Sequence, residues 1–217
     1  MPRGPRILPE ECHLHIICRG NDGCRVFRNQ DDFMQIKRTL LRFLPAIDLT
    51  IRHHALMHTH FHLLAWAGRT TLLAGAMKAA LLSYEHYYRR KYGHRGHLWH
   101  SRYRSIIIKT DGQYLQCARY VELNPVYAGI CRLPEGYRWT SYRYYADGLP
   151  DPLVSPDADL LKTEGWTAGE ANASYRKFVL AGIDLDYQQE KKRFEREVFE
   201  KYGPKVVHSK NFKVPSK

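Results

Sequence analysis

The chain of 217 residues has a formal net charge of +12, and 44% of its residues are hydrophobic. That fraction is ordinary for a soluble globular protein, and no apolar run approaches the ~20 residues of a membrane span. The positive charge favours a polyanionic partner, with nucleic acid as the first candidate. An anionic membrane surface is the alternative, but no strongly basic amphipathic helix supports it.

The N-terminus and the cysteines indicate the compartment. Residues 1–6 lack the apolar core of a secretory signal, so we expect a cytoplasmic, nucleoid-associated protein. No two cysteines have Cys-x-x-Cys spacing, and their number is odd, which favours free thiols over a zinc finger. The five are Cys12, Cys18, Cys24, Cys117 and Cys131.

The first predicted elements are a strand, a helix and two more strands. Residues 12–18 predict the first strand, with His13 and His15 on one face. Asp31 and Asp32 can start the first helix, and Pro45 marks its end. The ranges 47–57 and 60–67 predict strands two and three, joined almost without a linker, as in a hairpin.

The second half of the predicted fold completes a known arrangement. A longer helix is predicted over residues 70–92 and a fourth strand over 105–109. A third helix should run from Asp111 to about Leu123, where Pro125 ends it. The order predicts an α+β fold of the ferredoxin-like split βαβ type, an antiparallel sheet with helices on one face.

Three histidines stand at the start of the third predicted strand. Because side chains alternate along a strand, His58, His60 and His62 are predicted to share one face. Two imidazoles two residues apart can hold one divalent metal ion. Polar residues are also common where a strand begins, so the alternative is that these histidines have no metal-binding or catalytic role.

The third predicted helix carries Tyr120 and Asn124, four residues apart on one face. A helix leaving the fourth strand can cross the sheet near the histidines, which would bring the phenol towards a metal held by His60 and His62. The Asn124 oxygen would then be a third ligand, and such a set suits Mg²⁺ or Mn²⁺ better than structural zinc. Alternatively, Tyr120 packs in the core and Asn124 only caps the helix.

A tyrosine nucleophile needs help from a cation. A phenol with a pKa of about 10 is mostly protonated at pH 7 and attacks poorly. A cation on a phosphate oxygen withdraws electron density from phosphorus and stabilises the transition-state charge. Attack by Tyr120 would leave a phosphotyrosine bond of similar energy to the bond broken, so the strand could be rejoined without ATP.

Four sequence blocks carry a family resemblance. They are residues 57–64 (MHTHFHLL), 98–105 (LWHSRYRS), 119–126 (RYVELNPV) and 139–143 (WTSYR). In this order and spacing they resemble the single-tyrosine HUH transposases, especially the REP-associated tyrosine transposases, which are relatives of small insertion-sequence transposases. The resemblance covers about residues 10–148. His58 and Thr59 replace the usual Pro-Asn, and His58 could add a ligand.

The resemblance implies a mechanism and a substrate. His60 and His62 would bind the metal, Mg²⁺ or Mn²⁺, and Asn124 would complete that site. Tyr120 would form a 5′-phosphotyrosine and release a 3′-hydroxyl. The substrate would be single-stranded DNA, often beside a hairpin. The protein would be a monomer or a homodimer, since insertion-sequence relatives exchange tyrosine helices as dimers whereas REP-associated ones tend to act as monomers.

Basic and aromatic side chains that can hold DNA cluster before the fourth strand and after the third helix. Arginine binds phosphate, and aromatic faces stack on unpaired bases. The candidates are Arg95, Trp99, Arg102, Arg104 and Arg143. Arg102 is the first choice because its block resembles the family's. Trp99 could instead be a core aromatic.

The chain divides into a predicted catalytic domain, residues 1–148, and a C-terminal extension, residues 149–217. In the extension, 175–181 and 187–202 predict helices, and 203–217 is a basic tail expected to be flexible. Two other functions remain open. One is a DNA-hairpin-binding protein without cleavage. The other is a zinc hydrolase using His58, His60 and His62, although Leu63 and Leu64 stand where that pattern needs an aspartate.

Overall fold

The computed structural model describes residues 8–155 and 170–183. The strands are β1 (Cys12–Arg19), β2 (Leu49–Met57), β3 (His60–Ala67) and β4 (Arg104–Ile108). The helices are α1 (Gln30–Phe43), α2 (Thr70–Tyr92), α3 (Asp111–Tyr127), α4 (Tyr142–Asp147) and α5 (Ala171–Leu180). The helix predicted over 187–202 and the basic tail lie outside the described residues.

The four strands form one antiparallel sheet in the order β2-β3-β1-β4. The first and third strands are therefore central, as the ferredoxin-like arrangement requires. Met57 pairs with His60 across a two-residue turn, so the tight hairpin is present. The predicted α+β fold class is confirmed.

The two faces of the sheet differ in chemistry. Helices α1 and α2 pack together over an apolar face, which builds the main core. Its fully buried members include Leu14, Ile16, Phe27, Ile36, Leu40, Phe61, Leu63, Met77 and Tyr84. Helix α3 contacts β2 and β3, and its Tyr114 and Tyr120 meet the histidines of the opposite face. That opposite face holds the candidate site.

The end of α3 differs from the prediction. The expectation that Pro125 ends the helix is wrong, because α3 continues to Tyr127. A proline lacks the N–H of a helical bond, so Pro125 costs α3 one such bond, to the carbonyl of Val121, yet the helix continues for two more residues. The turn that terminates the helix is made at Gly129, whose φ of +66° lies in the left-handed region. There Ile130 N–H donates to Pro125 C=O and Gly129 N–H donates to Val126 C=O, both at 2.9 Å, which is a Schellman motif.

None of the described helices is both long and apolar enough to cross a membrane. The predicted location near the nucleoid stays a prediction.

Asp151 ties the segment after α4 to the sheet and to α1. Its Oδ2 lies 2.8 Å from His54 Nε2 and accepts a hydrogen bond from Lys37 Nζ at 2.7 Å. Burial alone would raise the pKa of Asp151, but the hydrogen bonds and charges of His54 and Lys37 outweigh burial and hold that pKa below its usual value. Asp151 therefore stabilises the fold in its ionised form.

We expect Asp151→Asn to lower the free energy of unfolding by about 2 kcal/mol at pH 6. A carboxyl whose pKa is lower in the folded than in the unfolded chain stabilises above about pH 4, and this contribution is lost as pH falls. The deficit, measured by urea denaturation, should shrink by roughly 1 kcal/mol at pH 3. The exposed Asp31→Asn is the control, and an equal Asp151→Asn deficit at both pH values would contradict the assignment.

Candidate functional site

His60 and His62 stand at the start of β3, on the face that α3 covers. Their ring centroids are 4.9 Å apart, and the rings meet edge to face. His60 is half-buried and His62 is buried. The hairpin turn and strand alternation thus bring the two imidazoles together at one end of the sheet.

His58 does not join this pair. It lies in the turn between β2 and β3, its Nδ1 donates to the Phe27 carbonyl at 2.9 Å, and its ring packs edge-on against Phe33. The expectation that the three histidines share one face is therefore wrong, because strand alternation stops where the strand stops. The His58 ring therefore lies on the apolar side of the sheet, against Phe33, and not beside His60 and His62.

His62 is held between two polar side chains. Its Nδ1 lies 2.9 Å from His15 Nε2, and its Nε2 lies 3.3 Å from Asn124 Nδ2. Burial lowers the pKa of His62 well below its usual value, and the neighbouring basic side chains of His60, His15 and Arg19 lower it further. Burial, aided by Arg104, lowers the pKa of His15 to about 3. Both imidazoles are therefore neutral at pH 7, which is the form that binds metal.

Tyr120 is brought to the same place by α3. Its half-buried ring stands edge-on to His62, with the centroids 5.5 Å apart, and 6.1 Å from His15. Asn124, one turn further along the same helix face, is the buried residue that reaches His62. The phenol is thus close to the two histidines and partly open to solvent.

Two imidazoles and one amide are the side chains of the site that could hold a divalent cation. Across residues 8–155 and 170–183, no three or more His, Cys, Asp or Glu side chains converge as a metal-binding group. The predicted set, however, is two imidazoles and one amide. His15 contacts Nδ1 of His62, which leaves Nε2, the nitrogen that faces Asn124, as the one that could bind a metal. His60 Nδ1 contacts Thr59 Oγ1 at 3.0 Å, and turning the Asn124 amide would present an oxygen.

A second buried polar group, which no sequence motif marks, fixes α3. Glu122 is fully buried, and its Oε1 lies 3.0 Å from His53 Nδ1. The same oxygen accepts hydrogen bonds from Ser141 Oγ at 2.5 Å and from Tyr175 Oη at 3.1 Å. The one available hint in the sequence was an acidic residue directly between two apolar residues, Val121 and Leu123.

The residues predicted to bind DNA lie in different settings. Arg95 and Arg102 are exposed between α2 and β4, Arg104 is half-buried on β4, and Arg143 is exposed on α4. Trp99 is buried, and its Nε1 donates to the Leu81 carbonyl at 3.1 Å. Trp99 therefore occupies the position of a core aromatic residue, which was the alternative to a DNA contact.

The segment that carries Arg102 and Arg104 runs beside the histidines. His100 N–H donates to the Arg19 carbonyl at 2.9 Å, and Arg19 pairs directly with His60 across β1 and β3. Arg104 pairs with Ile17 of β1. The positively charged side chains of Arg102 and Arg104 are thus carried by a segment that borders the site.

We expect His15→Gln to lower the affinity for Mn²⁺ about tenfold, because the partner that orients His62 is altered. His62→Ala should lower it further, since a ligand is lost. His58→Gln is the control and should leave the affinity unchanged. The Mn²⁺ affinity of each variant is measured by titrating the DNA-free protein with Mn²⁺ and recording electron paramagnetic resonance spectra. An equal loss of affinity in His58→Gln and His62→Ala would contradict the proposed metal site.

Comparison with protein families gives a match for this chain. The model of the IS200-like transposases matches residues 9–124, which include His60, His62, Tyr120 and Asn124. No curated protein sequence matches the chain.

Solved structures share the fold at low identity. A REP-associated tyrosine transposase bound to a REP hairpin is 13% identical, with a TM-score of 0.58 over 72% of this chain and 93% of that one. A protein from Deinococcus radiodurans R1, provisionally described as a transposase, is 19% identical, with a TM-score of 0.40 over 56% of this chain and 96% of that one. A bacterial tRNA(His) guanylyltransferase-like protein in complex with GTP reaches a TM-score of 0.38 at 16% identity, over 55% of this chain and 66% of that one.

The first of these structures supports the antiparallel sheet and helices described above, and the family match spans more than half of the chain. The chain belongs to the IS200-like transposase family.

Proposed function

We propose that this transposase is a metal-dependent single-stranded DNA endonuclease and strand transferase that cleaves near hairpins through a 5′-phosphotyrosine on Tyr120. The observation that supports the proposal is the Tyr120 ring standing 5.5 Å from the His62 ring, on the helix face that also carries Asn124. The solved structure of like fold is bound to a REP hairpin, which supports hairpin DNA as the substrate class.

The cleavage step needs a nucleophile, a leaving group and a proton balance. The Tyr120 oxygen bonds to phosphorus as the bond from phosphorus to the 3′-oxygen breaks. The proton that the phenol loses balances the proton that the departing 3′-oxygen gains. Because Tyr120 is half-buried, water can carry that proton. His62, with its lowered pKa, acts as a ligand rather than as the base.

His60, His62 and Asn124 would hold Mg²⁺ or Mn²⁺, which would supply electron withdrawal from the phosphorus under attack. The chain itself supplies orientation. His15 fixes the His62 ring through Nδ1, and α3 carries Tyr120 and Asn124 as one rigid unit. The reverse step, attack of a 3′-hydroxyl on the phosphotyrosine, rejoins strands without added energy.

The DNA strand is proposed to lie along the basic segment next to the histidines. Arg102 is exposed there, Arg104 lies on β4, and Arg95 is exposed in the preceding loop, so we place the phosphates along this segment on the way to Tyr120. The net charge of +12 supports such a contact. Arg143, on α4, is proposed to contact the flanking DNA.

Tyr120→Phe is expected to abolish covalent attachment to DNA, because the ring remains but the attacking oxygen is gone. The matched control is Tyr114→Phe, a buried tyrosine on the same helix, which should retain attachment. The assay incubates the protein with labelled single-stranded hairpin DNA and Mn²⁺ or Mg²⁺ and separates adducts on a denaturing gel.

Three results would decide between the functions. An adduct that is lost in Tyr120→Phe and with EDTA supports the proposal. Tight binding without any adduct in either metal would replace it with a hairpin-binding protein. Cleavage that survives Tyr120→Phe would point to a metal-activated water, as in a zinc hydrolase, a function that the position of His58 away from His60 disfavours.

Arg102→Ala should weaken DNA binding and make it less dependent on salt. If one phosphate contact is lost, the slope of log affinity against log salt should fall by about 1. The control is Arg38→Ala, an exposed arginine of α1, which lies across the sheet from α3. Fluorescence anisotropy at several salt concentrations measures both, and an unchanged slope in Arg102→Ala would exclude this contact.

A further inference from the structure

Residues 171–183, which we call the clamp, pack against α3. The clamp consists of α5 and the three residues that follow it. The family match ends at residue 124, so the clamp lies beyond it. The clamp packs against α4 and also against α3, the helix that carries Tyr120 and Asn124.

The first clamp contact is the buried tyrosine Tyr175. Its hydroxyl donates to Glu122 Oε1 at 3.1 Å and lies 3.3 Å from His53 Nδ1. The side chains of His53 and Glu122 are both 0% exposed. A buried carboxylate is costly unless its hydrogen bonds are made, so α3 is held where Glu122 meets these partners.

The second clamp contact is a close approach at Gly182. Tyr127 Oη donates to the Gly182 carbonyl at 3.0 Å. A Cβ added at Gly182 would lie 2.8 Å from Leu123 Cδ1 and would also collide with the Arg119 side chain. The clamp thus lies directly on the surface of α3 and leaves no room there for a side chain.

A third contact adds a cation–π interaction. The Arg119 guanidinium lies 4.2 Å from the centroid of the Phe178 ring. Together the contacts run from Arg119 to Tyr127, about two turns of α3. The clamp therefore contacts α3 over the same stretch that carries Tyr120 and Asn124.

The helical repeat links the clamp to the nucleophile. Successive residues turn by about 100°, so Glu122 points to nearly the opposite side from Tyr120 and Asn124. A contact that fixes Glu122 therefore fixes the rotation of α3 and the direction of both site residues. Positioning of this kind matters because a shift of about 1 Å at a nucleophile can cost roughly 100-fold in rate.

We propose that the clamp is a positioning element of the cleavage reaction, which holds α3 in the rotation that places Tyr120 and Asn124 against His62. Tyr175 is a positioning residue, because its hydroxyl acts through Glu122 and not on DNA. The proposal rests on the proposed function of Tyr120. It makes part of the C-terminal extension necessary for chemistry that the family motifs alone would assign to residues 60–124.

The experiment uses the full chain with two clamp variants and one control. Tyr175→Phe removes the hydroxyl and keeps the ring that packs 4.9 Å from Tyr145. Gly182→Val forces Leu123 and Arg119 to move. Lys177→Ala, an exposed site on the same helix, is the control. The measured quantities are the single-turnover rate of adduct formation at saturating hairpin DNA and the dissociation constant for that DNA in EDTA.

We expect Tyr175→Phe to slow adduct formation about tenfold and Gly182→Val about 100-fold. The dissociation constant should stay within about twofold, because the DNA-binding surface is unchanged. A general loss of folding would move rate and binding together. Rates equal to that of Lys177→Ala, or a fall in rate matched by a fall in affinity, would overturn the proposal. Tyr175→Phe alone decides the question if Gly182→Val does not fold.

Amide hydrogen exchange separates this proposal from the proposed function. If the wild-type chain forms no adduct, the assignment of Tyr120 fails, but the clamp can still be tested without DNA. Faster exchange in α3 of Tyr175→Phe, with α1 unchanged, would show that the hydroxyl holds the helix. Unchanged exchange in α3 would overturn the clamp whatever the adduct assay shows.

Discussion

The structure depends on burying a sheet face that carries imidazoles. A buried polar group without a partner costs about 1–3 kcal/mol, so α3 can dock only where its own polar groups meet those of the sheet. Asn124 meets His62, and Glu122 meets His53. These two pairings fix both the position and the rotation of the helix. Tyr120, which precedes both residues on the same helix, is thereby carried to the side of His62.

The two faces of the sheet have different roles, one in stability and the other in forming the candidate site. The face under α1 and α2 is apolar and supplies most of the buried hydrophobic surface. That stable layer lets the opposite face hold neutral, desolvated imidazoles such as His15 and His62. Desolvation has a second effect, because a charged phosphate or cation at such a site interacts more strongly than it would in water. The same burial that makes the face costly to build makes it useful for phosphoryl chemistry.

Much of this architecture could be predicted from local sequence pattern. Strand alternation and helical spacing predicted the split βαβ order and the helix face shared by Tyr120 and Asn124. The prediction failed for His58, where alternation ends at a turn, and for Pro125, beyond which α3 continues for two residues. The contact between Tyr175 and Glu122 joins residues 53 positions apart, and no local pattern encodes a partner at that distance.

Direct identification of the residue that becomes bound to DNA tests the central claim. Protein trapped on a hairpin oligonucleotide would be digested with nuclease and protease, and the modified peptide sequenced by mass spectrometry. The account predicts a nucleotide joined through its 5′-phosphate to Tyr120, in the peptide that contains Val121 and Glu122. A nucleotide on another residue, or cleaved DNA with no modified peptide, would contradict it.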